Sequence, residues 1–208
     1  MGKNITPNHF YVWFDTEYSD LDLETASLLQ VAVLITDRAL RRVLPPEEDV
    51  RLTIRLAEGQ TLSPWVEENL PDLAQACRSP EAVMLAQADE QLAAYVDKVV
   101  GSPKEKENQR PILAGNSIHS DWWMIRRFLP LFRRRLHYRH LDVTAFKLEW
   151  QYIHPEDEFD KEKPELIQQY FPEARLVSEG RHDAYYDVQA SIAELAFYRQ
   201  VLFSSNRS

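Results

Sequence analysis

Sulfur chemistry is nearly closed to this chain. Its 208 residues include one cysteine, Cys77, so no disulfide can close within it, and a reducing, cytoplasmic setting is expected. Nowhere do 18 apolar residues run together, and no apolar stretch with a basic flank stands at the N-terminus. The expectation is a soluble protein that is neither exported nor membrane-spanning. Positive charge is also short: 24 lysines and arginines against 33 aspartates and glutamates give a formal charge of −9. A protein that grips long DNA or RNA neutralises many phosphates and usually shows a broad basic face. Here positive charge is local, at Arg126, Arg127, Arg133, Arg134, Arg135 and Arg139. An acidic body with one basic patch suits a short anionic substrate better than a long polymer, although any single one of these arginines is as readily part of a solvated helix face.

What remains is 44% hydrophobic, enough for one packed domain over residues 1–208, with 1–8 and 203–208 as flexible tails. Residues 9–15 (HFYVWFD) and 28–36 (LLQVAVLIT) read as strands from their aromatic and β-branched content, and 50–56 alternates like a half-exposed third. Three strands with short links suggest an antiparallel meander. Ser63-Pro64 opens a helix with proline at its first position, and 80–99 reads as a longer helix stopped by Gly101 and Pro103. Then come a short strand at 111–115, a helix at 119–135 reset at Pro130, a strand at 138–142 and a helix to about 151. A weakly periodic stretch, 154–181, holds a short helix near 164–170, and a last helix spans 183–201. Strands first, then alternating helix and strand, predict an α/β sandwich around a mixed sheet.

The chemistry is carried by four segments: FDTE, GNSIHSD, HYRHLDV and HDAYYD. Asp15 and Glu17, two apart at the C-terminal end of the first strand, project from one face and can reach a common ion; acids there are also commonly the start of a turn. Asp121 opens a helix, where an acid also offsets the helix dipole. His182 and Asp187 are five apart, about 500° on a helix, so they do not share a helical face. The reading is His182 on the loop before the helix and Asp187 on it; a capping or surface histidine is the plainer alternative. Taken together, four carboxylates suit hard divalent cations, and the histidine supplies a general base.

In order, context and His-x4-Asp spacing, these five residues resemble the DEDDh family of 3′-to-5′ exonucleases. That family has a ribonuclease H-like mixed five-stranded sheet flanked by helices. In it, four acids hold two divalent cations, Mg²⁺ or Mn²⁺, and a histidine is the base. LITD at 34–37, LAGNSIHSD at 113–121, FLP at 128–130, HYRHLDV at 137–143 and SIAELAFYR at 191–199 narrow the resemblance to the oligoribonucleases. The resemblance implies hydrolysis of dinucleotides and very short oligonucleotides to mononucleotides. It implies a cap on the 5′ phosphate from Ser117, Arg139 and Thr144, with Tyr138 donated across a homodimer interface. It also implies Leu21 as a wedge between bases and Trp65 as a stacking platform. Read from the residues alone, Leu21 is as readily a core side chain, and Trp65 one packed beneath its helix.

Departures from that pattern lie close to the site. Asp20 stands where the family has glycine, Tyr18 where it has methionine and Thr144 where serine is usual. Trp122 and Trp123 replace basic residues, and the stretch before His182 is longer. Two other readings compete: an exonuclease on longer single-stranded DNA or RNA, and a catalytically silent nuclease-like binding protein. The phosphate-cap residues and the acidic net charge argue against the first, and the complete catalytic set against the second.

Overall fold

A computed structural model describes residues 9–176 and 182–203; the tails expected at 1–8 and 203–208 lie outside that range, position 203 excepted. Five strands form one mixed sheet: β1 (Phe10–Tyr18), β2 (Leu28–Asp37), β3 (Val50–Thr53), β4 (Ile112–Gly115) and β5 (His140–Asp142), in the order β3-β2-β1-β4-β5. The first three run antiparallel as a meander, and β4 and β5 continue parallel to β1. Eight α-helices, besides short 3-10 turns at Pro46–Glu48 and Glu107–Gln109, are described: α1 (Pro64–Asn69), α2 (Pro71–Cys77), α3 (Leu85–Val100), α4 (Ile118–Phe128), α5 (Pro130–Arg133), α6 (Val143–Ile153), α7 (Pro164–Tyr170) and α8 (Ala184–Phe203). The fold is the expected mixed five-stranded sheet flanked by helices.

β1 is central and buried on both faces, which explains its unbroken run of large side chains. Tyr11 and Trp13 pack towards α6, α7 and α8 in one core layer, while Val12 and Phe14 pack towards α3, α4 and α5 in the other. The buried Trp13 indole donates to Thr36 Oγ1 at 2.8 Å, so its one polar atom is not stranded. Because side chains alternate, this layering fixes the later chemistry. Odd-numbered residues of β1 face α8 and even-numbered ones face α4.

Two expectations need correction. The helix expected at 80–99 begins only at Leu85. Val83 is instead drawn into the sheet edge, pairing with Ile54, donating to Thr53 O and accepting from Arg55 N. The third strand, expected over 50–56, ends at Thr53 for the same reason, since Ile54 turns to meet that segment. Backbone groups at a sheet edge need partners, and the long-range pairing outweighed helix propensity in PEAVM. Elsewhere the reset at Pro130 is seen as the break between α4 and α5. No helix among the described residues is long and apolar enough to cross a membrane.

Candidate active site

The last turn of β1 carries Asp15 and Glu17 on the α8 side, and α8 brings Asp187 against them. One carboxylate oxygen from each of the three lies within 4.8 Å of the others. Asp187 is set in place by its neighbours on α8. Tyr185 Oη donates to Asp49 Oδ2 at 2.7 Å, and Arg42 Nη2 donates to Gln189 Oε1 at 3.1 Å. Arg42 and Asp49 form an ion pair with side chains only 4% and 1% exposed. Removing one partner of such a buried pair costs about 3–5 kcal/mol, so this pair rivets α8 to the β2–β3 connection.

Asp121 arrives from the other side of β1. It sits in the first turn of α4, 5% exposed, and accepts a hydrogen bond at 2.8 Å from the hydroxyl of Thr16. Thr16 is an even-numbered residue of β1, so it points at α4 as the layering requires. Asp121 is thus outside the three-carboxylate group yet close enough to act strongly on Asp15. The close approach of α4 depends on Gly115. A Cβ there would lie 2.8 Å from Phe14 O and 3.0 Å from Ile118 Cδ1, so any larger residue would push the helix away from β1.

Charge is concentrated well beyond what these surroundings solvate. Burial, then Asp121, Asp187 and Glu17, hold the Asp15 carboxyl well above the usual range. Burial, then Asp187 and Asp183, push Glu17 up to about 8. Burial raises Asp121 to about 7 against the opposing hydrogen bond from Thr16. Carboxylates arranged so that they repel each other, each an oxygen donor, fit a hard divalent cation, which would repay the desolvation. Among the described residues, Lys161 is the one lysine or arginine seen to meet them directly. Its Nζ is 2.6 Å from Asp187 Oδ1, and, although burial works against its charge, Asp187, Asp15 and Glu194 hold it above the ordinary lysine range.

These groups open onto a cavity of about 700 Å³ lined by Asp15, Thr16, Glu17, Tyr18, Asp20, Leu21, Trp65, Ser117, Lys161, His182 and Asp187, among others. Leu21 is 89% exposed and Trp65 51% exposed, so neither is a core residue. The loop that lifts Leu21 is closed by Ser19 N to Ser27 O and Ser27 N to Ser19 Oγ, both 2.9 Å. Trp123 Nε1 and Arg127 Nη1 brace the same loop by donating to Leu23 O at 3.2 and 2.9 Å. Trp123, a departure in sequence, therefore serves the Leu21 loop. Asp20 lines the cavity, but its Oδ1 accepts from Asp22 N at 2.9 Å. Ser63 caps α1 and is tied to Ser19 through Ser63 N to Ser19 O, 3.2 Å, which fixes Trp65 near Leu21.

His182 stands on the residue pair before α8, as the spacing implied. Asp183 caps the helix by accepting from Tyr186 N at 2.9 Å, and Gln30 Oε1 accepts from Ala184 N at 2.8 Å. His182 has φ 63°, a left-handed conformation uncommon for histidine, and its ring meets the Trp65 ring edge-on at 5.3 Å. The exposed imidazole thus lines the same cavity as the carboxylates.

The expected phosphate-cap residues divide. Ser117 N donates to Thr144 Oγ1 at 2.8 Å, so these two stand together at the cavity's edge. Arg139 and Tyr138 do not line the cavity. Tyr138 is 52% exposed, with the Arg139 guanidinium 5.3 Å over its ring, and it borders a separate pocket with Arg126, Arg133 and Arg134. The other arginines of the patch are engaged, Arg135 with Asp97 at 2.8 Å and Arg127 with the Leu21 loop. Sequence reasoning missed Asn116, Glu194 and Lys161. Asn116 Nδ2 donates to Glu194 Oε2 at 2.7 Å and to Ser191 Oγ at 3.0 Å, and its Oδ1 accepts from Thr144 at 3.3 Å. The SIAELAFYR segment held a signal for Glu194, an acid inside an apolar helical stripe.

Comparison with known proteins places the chain in a family. The RNase T family profile, described as exonuclease, matches residues 12–195. An oligoribonuclease of Colwellia psychrerythraea is 31% identical over 92% of this chain and 94% of its own length. One of Streptomyces avermitilis is 29% identical over 94% and 88%, and a probable oligoribonuclease of Schizosaccharomyces pombe is 31% identical over 93% and 68%. Among solved structures, exonuclease I of Methylocaldum szegediense superposes with a TM-score of 0.64 at 18% identity. E. coli exonuclease I with single-stranded DNA does so with a TM-score of 0.66 at 15% identity. The superpositions cover 94% of this chain but only 43% and 42% of those longer proteins, and they speak to the fold alone.

Proposed function

The chain belongs to the exonuclease family, and within it to the oligoribonucleases, and from that membership we propose that it hydrolyses dinucleotides and very short oligonucleotides from the 3′ end to 5′-mononucleotides. The observation that carries the reading is the convergence of Asp15, Glu17 and Asp187 on a cavity that also presents Leu21 and Trp65. About 700 Å³ falls within the range of small-ligand sites rather than of a channel for a long strand.

Asp15, Glu17, Asp121 and Asp187 would hold two divalent cations, Mg²⁺ or Mn²⁺. Bound there, such ions supply Lewis-acid stabilisation of charge on the phosphoryl oxygens and a template for in-line displacement. His182 accepts the proton of the attacking water from the open side of the cavity; its place on a loop rather than on α8 leaves it room to do so. Trp65 stacks on a base and Leu21 separates the two bases, contacts that any base satisfies, so no base preference is built in. Ser117 and Thr144 receive the 5′ phosphate, and Arg139, which does not line the cavity in the single chain, turns onto that phosphate a planar fork suited to it. The protein works as a cytoplasmic homodimer in which Tyr138, exposed and outside its own chain's cavity, completes the partner's site.

The test is a ladder of RNA and DNA from two to seven nucleotides, labelled at the 5′ end and incubated with Mg²⁺ or Mn²⁺. Turnover that falls steeply above two or three nucleotides, and that stops with chelator, is expected. Equal turnover at all lengths would replace this reading with a general single-strand exonuclease, and no turnover with metal bound would leave a silent binding protein.

A further inference from the structure

Between α6 and α7 the chain holds one residue in place, Lys161. Phe159, 2% exposed, is locked in the core against Tyr170 and Phe197. Two residues later, Tyr186 Oη of α8 donates to the Lys161 carbonyl at 2.8 Å. Glu162 N donates to Asp160 Oδ1 at 3.0 Å, which fixes the turn between. The Lys161 backbone is thus pinned one residue from Asp187 along α8, while its side chain remains 55% exposed. A flexible four-carbon stem on a fixed backbone is a tethered cation: it can reach the carboxylates or swing into solvent with little change around it.

In this structure the ammonium is on Asp187 Oδ1 at 2.6 Å, within the group of carboxylates proposed above to take divalent ions. Of the described residues lining the cavity, Lys161 is the only lysine or arginine. An ammonium on Asp187 uses a lone pair that an ion would need, so the two compete for one oxygen. Four acids that repel each other also need some counter-charge when no ion is present. Resting on the proposed metal-dependent function, we infer that Lys161 is the resident counter-cation of this site: it holds the carboxylates together in the metal-free protein and steps aside when divalent ions bind, so that it sets the site's affinity for them.

The experiment is titration of the full-length, metal-stripped protein with Mn²⁺ by calorimetry, alongside the metal-free melting temperature, for wild type, Lys161→Gln and Lys161→Arg. Lys161→Gln should bind Mn²⁺ more tightly, by roughly 3- to 10-fold for a half-exposed ion pair that no longer has to be broken. Its metal-free melting temperature should drop by about 2–4 °C, while with saturating Mn²⁺ it should match wild type. Lys161→Arg should keep the metal-free stability. Unchanged Mn²⁺ affinity in Lys161→Gln, or weaker binding, overturns the inference while leaving the nuclease reading intact. Failure of the wild type itself to take up Mn²⁺ overturns both. Since the lysine side chain is half-exposed, Lys161→Gln is expected to fold, and Lys161→Met gives a second neutral variant should it not.

Discussion

The two charged regions of this molecule are built on opposite terms. At the end of β1, acids are crowded, half-buried or buried, and mutually repulsive, each fixed by a packed element: β1 between two cores, α4 over Gly115, α8 riveted by Arg42 and Asp49. Around α4, α5 and the start of β5, arginines are exposed or paired, and Arg126, Arg133 and Arg134 border a pocket with Tyr138 that shares no residue with the cavity. One region holds mutually repelling acids that Lys161 offsets in part and that a bound divalent ion would relieve further. The other offers ready positive charge at little strain. On the proposed reading, the carboxylates that cut and the Tyr138 and Arg139 that grip the 5′ phosphate are separate in a single chain, and the contrast makes different demands on mutations in each region.

The largest effect belongs to the acidic region. Asp15→Ala should reduce turnover to background, because the residue is a member of the three-carboxylate group and is also coupled to Asp121. Single-turnover assays with Mn²⁺ check this. His182→Ala should be milder, cutting turnover by roughly 10²–10⁴ with metal binding nearly intact, the usual worth of a general base. Near-normal turnover of His182→Ala at neutral pH would remove His182 from that role.

In the basic region the expected losses are in binding. Arg139→Ala should weaken 5′-phosphorylated dinucleotides by roughly 10- to 150-fold, the worth of a charged hydrogen bond. Dinucleotides without the phosphate should bind as before, and Kd values for the two substrates give the comparison. Equal loss for both would mean that Arg139 supports the fold or the dimer rather than the phosphate.

The smallest effect concerns stored repulsion. Glu17 titrates near 8 in the folded chain against 4.5 as its ordinary value. Between those limits the folded protein holds a proton that the unfolded one has released. Stability of the metal-free protein should therefore fall as pH rises through about 8, and Glu17→Gln, which has no such proton to lose, should show a shallower decline. Melting temperatures from pH 5 to 9 in chelator measure the slope, and added Mg²⁺ should flatten it in wild type more than in the variant.

Much of this was legible from local pattern. HFYVWFD reads as a strand from its aromatic and β-branched content, so the odd-even division of Asp15, Glu17 and Thr16 follows from the sequence once the layers are known. The His-x4-Asp spacing placed His182 before a helix and Asp187 on it, which is the observed arrangement. What escaped depends on distant partners. Val83 reads as helix until Ile54 is seen beside it. Lys161 lies in a stretch with only weak periodicity, and nothing local says that Phe159 and Tyr186 would hold it at the acids. The basic run read as one patch because neighbours in sequence were pooled, although Asp97 and the Leu21 loop each take one arginine out of it.

If cutting and gripping meet only when two chains combine, subunit mixing decides the matter. Asp15→Ala retains Tyr138, and Tyr138→Ala retains the carboxylates, so a mixed dimer holds one complete site. Random exchange in a twofold dimer makes about half the dimers mixed, so about a quarter of wild-type turnover should return when the two weak variants are combined. Turnover on the mixture equal to the average of the separate variants, with exchange verified by mass, would contradict a site shared between chains.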